Sequence, residues 1–166
     1  MSFTTIDRMR NMLQHATPYA PLLLRVGIAI VYLYFGISQL RSPEMFVGWL
    51  PKEAALIPLT ARTLVTLNGG FELFAGILLL LGLYTRVWAL LLGLHLAAIT
   101  WSVGWTEIGV RDLGLTIATL TIVLTGGGKL SLDSYFSRES GEASRAAEGP
   151  KEQDQKDNPQ EYLLEH

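Results

Sequence analysis

Four stretches of the chain are apolar over lengths that compare with the roughly 20 helical residues needed to cross a bilayer's hydrocarbon core. Pro21 to Leu40, PLLLRVGIAIVYLYFGISQL, carries one charge, Arg25, a turn from its start. Thr63 to Leu83 has Glu72 near its centre, and Val87 to Val103 contains His95. The fourth, Leu113 to Thr125, is 13 residues long and too short to span. A helix of sufficient length must begin near Glu107 or Ile108, which draws Arg111 and Asp112 about 5 to 8 Å inside the membrane. Helices of soluble bundles keep a polar face, and these stretches keep none. Tyr34, Tyr84, Trp88, Trp101 and Trp105 lie near their ends, as in an interfacial aromatic belt.

The connections support the same reading. Tyr84-Thr85-Arg86 is too short for anything except an antiparallel helix pair, and Gly126-Gly127-Gly128 ends the last helix sharply. Residues 1–20 hold Ile6, Met9, Met12 and Leu13 at helical spacing among Arg8, Arg10 and Gln14, the pattern of an amphipathic helix on a membrane surface. Residues 41–62 are broken by Pro43, Pro51 and Pro58 but carry Met45, Phe46, Trp49, Leu50 and Leu56, which predicts short interfacial helices over the bundle end. Residues 134–166 are rich in Glu, Lys, Gln, Ser and Gly, a composition that predicts a disordered polar tail. Its closing Leu-Glu-His looks like a tag remnant. The predicted fold is all-α: an integral membrane four-helix bundle over 21–133, with spans near 21–40, 63–83, 87–103 and 108–126.

Charge sharpens the picture. Of 28 formal charges, 3 precede Pro21, 14 follow Gly126, and 11 are spread over everything between. Basic residues favour the N-terminus, the Tyr84–Arg86 turn and the start of the tail, which predicts both termini on the cytoplasmic side of a multi-pass cell-membrane protein. Having no cysteine excludes disulfides, thiol relays and thiolate clusters, and three scattered histidines argue against a metal site. A net charge of −2 gives no reason to expect nucleic acid. No haem, flavin or nucleotide fingerprint occurs, so any electrons must come from a substrate or a redox partner protein.

Candidate chemistry therefore lies inside the bundle. At 1.5 Å per residue, Asn68 sits roughly 8 Å below the outer surface, Glu72 roughly 14 Å, His95 roughly 12 Å and Asp112 roughly 8 Å. Asn68 and Glu72 are four apart and share a helix face. A carboxylate at that depth needs a partner or a proton, which makes Glu72 the first candidate for proton chemistry and His95 the second. Asn68, Arg111, Asp112 and Tyr34 are the candidate ligand-binding groups. The depth argument predicts a Glu72–Arg111 ion pair, which would equally serve as a structural lock between helices. Arg25 reads as a snorkelling anchor, and the glycines of the first two spans as packing residues.

Arg25 with Gly27, Tyr34-Phe35-Gly36-Ile37-Ser38-Gln39-Leu40, Glu72-Leu73-Phe74-Ala75-Gly76, Leu81-Gly82-Leu83 and Gly126-Gly127-Gly128-Lys129-Leu130-Ser131-Leu132-Asp133 together resemble the DoxX family of small four-helix membrane proteins, from about Leu24 to Asp133. The family's first helix often ends with a lysine before the leucine, where this chain has Gln39. The resemblance implies a link to redox metabolism: some relatives are the membrane subunit of thiosulfate:quinone oxidoreductase, others belong to oxidative-stress assemblies. It makes quinone the expected cofactor, and a homo-oligomer or hetero-complex in the lipid bilayer the expected state. Two functions follow. One is a quinone-interacting oxidoreductase subunit; the other is a non-enzymatic scaffold or a carrier for a lipid or apolar solute.

Overall fold

The computed structural model describes residues 3–147. Six α-helices run in order: α1 (Phe3–Ala16), α2 (Ala20–Arg41), α3 (Ala61–Leu81), α4 (Thr85–Val103), α5 (Glu107–Thr125) and α6 (Leu132–Ala147). Short 3-10 turns follow α1 (Thr17–Tyr19) and fill the α2–α3 connection (Pro43–Met45, Val47–Trp49, Lys52–Leu56). No strand occurs among the described residues. Helices α2 to α5 are the spans read from the sequence, each boundary within two residues, and all are long and apolar enough to cross a bilayer. The protein is a multi-pass membrane protein. Its lipid-facing surface carries exposed Leu23, Ile30, Phe74, Leu94, Ile117 and Leu124.

Local chemistry sets the ends. Thr60 and Thr106 cap α3 and α5, their hydroxyls accepting the amides of Thr63 and Gly109. Gly82 closes α3 in the left-handed region at φ 72°, and the Leu83 amide donates back to Leu78 O. This is the Schellman arrangement, which a residue with a Cβ enters only under strain. Ala16, Tyr19 and Ala20 all keep right-handed helical angles, so α1 leads into α2 without reversing the chain.

Helix α2 packs mainly on α3, and α4 on α5. The α2/α3 seam is tight because glycines face each other: a Cβ on Gly36 would lie 2.8 Å from Gly69 O, and one on Gly69 3.0 Å from Gly36 O. Between the two pairs, toward one end, Ile28, Ala29, Tyr32, Ala75, Leu79, Ala89, Leu92 and Ile122 form the core.

At the packed end Arg25 is 2% exposed and donates to Gly127 O at 3.0 Å and Leu130 O at 2.8 Å. It is an internal clamp, not the snorkelling anchor expected. The glycine-rich segment after α5 folds back over the bundle end and supplies two carbonyls that no helix satisfies. Asp133 completes the closure by accepting the amides of Tyr84 and Thr85 at the start of α4. The compact body ends at Ser134, and the chain from Tyr135 forms a separate unit. Composition predicted no structure beyond 133, yet α6 continues to Ala147, begun by a Ser131 hydroxyl that accepts the Ser134 amide. Residues 148–166, with the rest of the expected tail, lie outside the described residues.

Candidate functional site: a polar cluster in an apolar cavity

Toward the other end the four helices and the α2–α3 connection line a partly open cavity of about 620 Å³. Val31 and Phe35 of α2, Leu64 and Val65 of α3, Leu96 and Ile99 of α4 and Ile108 and Leu115 of α5 form apolar walls. The α2–α3 connection covers it with Phe46, Trp49, Leu50 and Ile57. The short helices expected there thus become a lining of the cavity. Tyr32 stands at the floor, its hydroxyl 3.2 Å from both Leu92 O and Thr119 Oγ1, joining α2 to α4 and α5.

A polar cluster around Glu72 interrupts the walls. Glu72 is 5% exposed, and its Oε2 accepts from Gln39 Nε2 at 2.8 Å. Oε1 accepts from Asn68 Nδ2 at 3.0 Å and lies 3.3 Å from His95 Nε2. Asn68 Nδ2 also donates to Gln39 Oε1 at 2.7 Å, which closes a ring of three side chains. The glycine seam makes this possible: the Cβ that Gly69 lacks would fall 2.8 Å from the Cβ of Gln39, so Gln39 projects against α3 next to Asn68 and Glu72. His95 approaches from α4, steadied by an edge contact with Phe71 at 5.3 Å between ring centres.

Asn68, Glu72, His95, Arg111 and Asp112, the groups that depth placed together, all line this cavity. The predicted pairing among them is different. Arg111 does not reach Glu72; its Nε and Nη2 both lie 2.9 Å from Asp112 Oδ1, and its guanidinium sits over the Phe35 ring at 5.9 Å. The reason is position. Arg111 lies just past the first turn of α5 beside an acidic neighbour, and its side chain remains 54% exposed, open to a solvating environment. Amide donors satisfy Glu72 without a second charge having to be desolvated. Tyr34 is also separated from the cluster: it is 66% exposed on the outer face of α2 and does not line the cavity. Adjacent faces of a helix differ by about 100° per residue, which turns Tyr34 outward while Tyr32 and Phe35 point in. Sequence reasoning did not select Gln39 or Tyr32. A buried amide one turn beyond a glycine that meets another glycine is the signal that could have found Gln39.

The DoxX family model matches residues 20–105, just over half of the chain. The chain belongs to the DoxX family. No curated protein and no solved structure matches it. The DoxX match covers α2, the connecting segment, α3 and α4, and so includes Gln39, Asn68, Glu72 and His95, while Arg111 and Asp112 on α5 lie beyond it.

Proposed function

We propose that this DoxX protein is the quinone-interacting subunit of a membrane oxidoreductase system, with both termini on the cytoplasmic side. The observation that carries the reading is a buried carboxylate–imidazole contact, Glu72 to His95 at 3.3 Å, set in the wall of an otherwise apolar cavity at membrane depth. The volume of about 620 Å³ lies in the range of small-molecule sites, and aromatic side chains suit a flat ring with an apolar tail. A quinone takes up or releases protons together with electrons, which is the chemistry it would supply here. The chain's own residues do the rest. Glu72 and His95 hold and move a proton on the axis between them, Arg111 offers a hydrogen bond at the rim, and the connecting segment with Trp49 keeps water out. Electrons arrive from the substrate or from a partner subunit.

The test is binding of a short-chain quinone to the protein in lipid nanodiscs, read by quenching of Trp49 with Trp49→Phe as the control. Saturable quenching is expected, and it should be lost in Trp49→Phe. Reduction of that quinone on adding thiosulfate would identify a subunit that works alone. A folded protein that binds no quinone overturns the reading and leaves a scaffold or carrier for a lipid or apolar solute.

A further inference from the structure

The three amide hydrogen bonds around Glu72 can be satisfied in one orientation of Gln39 and Asn68 only. Amide oxygen and nitrogen exchange places when Gln39 or Asn68 turns over, so the alternatives can be counted. Turning Gln39 alone sets its NH2 against the NH2 of Asn68, 2.7 Å away. Turning Asn68 alone sets its oxygen against the oxygens of both Gln39 and Glu72. Turning both requires Glu72 to donate a proton from Oε2 to Gln39 and another from Oε1 to Asn68, and a carboxyl group carries at most one. Only the observed orientation meets all three amide contacts, and in it Glu72 accepts on both oxygens.

Against an ionised Glu72, which can only accept, a neutral His95 donates from Nε2 and keeps a lone pair on Nδ1. Of the two groups His95 is the accessible one, its side chain 25% exposed against 6% for Glu72.

We propose that the two amide N–H groups of Gln39 and Asn68 hold Glu72 as a carboxylate and so make His95 the hydrogen-bond acceptor of the cavity, a site that prefers a hydroxyl-bearing ring, the hydroquinone form of a quinone, over the dione. This rests on the quinone reading above. A hydroquinone O–H donates to Nδ1, whereas a dione oxygen brings a lone pair to a lone pair. The other ionisable groups lining the cavity do not reverse the preference. Tyr32 is engaged by Leu92 O and Thr119, Glu53 lies in the covering segment, and Arg111, bound to Asp112 at the rim, can donate to the far oxygen of either form. Gln39 and Asn68 are positioning residues: they act on the ligand through Glu72 and His95.

The experiment compares a short-chain hydroquinone with its own dione under anaerobic conditions at neutral pH, in the full chain in nanodiscs, by Trp49 quenching. The hydroquinone is expected to bind about tenfold more tightly, the measure of one hydrogen bond gained. His95→Leu should equalise the two forms, and Gln39→Met should narrow the gap between them. A dione bound as tightly as the hydroquinone, or more tightly, overturns the preference and leaves the quinone reading standing. Failure of both forms to bind overturns that reading instead. The arrangement around Glu72 has its own readout, because ¹⁵N shifts of His95 in ligand-free protein report the tautomer without any variant. Nε2–H is expected, and an Nδ1–H ring would overturn the assignment.

Discussion

Glu72 and Arg111 illustrate how a depth argument finds neighbours but not bonds. Both line the cavity, yet Arg111 is held by Asp112 and Glu72 by two amides. In a double-mutant cycle on thermal stability, Glu72→Gln and Arg111→Gln should therefore add without coupling. Glu72→Gln and Gln39→Met, which break one shared hydrogen bond at 2.8 Å, should couple by about 1 kcal/mol. Coupling to Arg111 with none to Gln39 would mean the ring of side chains does not form. Arg25 is the second residue that matters singly. Its guanidinium forks onto two carbonyls with almost no solvent contact, so Arg25→Met should cost about 3 kcal/mol, the loss of hydrogen bonds to a buried charge. Arg25→Lys should not restore stability, because a lysine has no planar fork to reach both oxygens. An unchanged melting temperature in either variant would refute the clamp.

At the scale of elements, the α2/α3 seam decides where the site can be. A methyl group on Gly36 would lie 2.7 Å from Leu73 N and 2.8 Å from Gly69 O, and both obstacles are backbone that cannot swing aside. Gly36→Ala should separate the helices, destabilise by about 1 to 3 kcal/mol as overpacking does, and weaken ligand binding by pulling Gln39 from Glu72. Gly70 and Gly114, on α3 and α5, have open space where a Cβ would go. Alanine there should be neutral or stabilising by up to about 1 kcal/mol, because it favours the helix. The contrast between the two sets, read from melting temperatures in one detergent, separates close approach from general intolerance to substitution. If Gly36→Ala behaves like Gly70→Ala, the seam is not as tight as described.

For the whole molecule, the four spans and the distribution of basic residues imply that α2 begins and α5 ends on the same side. The absence of native cysteines makes this directly testable. Single cysteines at Ser42, just past α2, and at Ser137, on α6, should react oppositely with an impermeant reagent added to intact cells: Ser42 labelled, Ser137 protected until the membrane is opened. Equal labelling of both positions contradicts the arrangement.

The number, length and order of the spans were legible in the chain because they depend on local quantities: apolar run length, turn residues and caps. That Asn68, Glu72, His95, Arg111 and Asp112 lie close enough along the helices to line one cavity follows from the same local quantities, since rise per residue converts sequence position into height along each helix. Which of them touch does not. Contacts depend on helix rotation and on interaxial distance, and a tight glycine seam brought Gln39 to Glu72 while the exposed rim kept Arg111 with Asp112. Tyr34 and Tyr32 differ by two positions in the sequence, and only the rotation of α2 decides that one faces outward and the other the cavity. Arg25 looked like an anchor because its partners, the carbonyls of Gly127 and Leu130, lie about a hundred residues away and have no side chain to announce them. Composition and periodicity determined that the chain crosses a membrane as four helices. The packing of the four helices, with the apolar core toward one end and the α2–α3 connection folded over the other, decided that it holds a cavity.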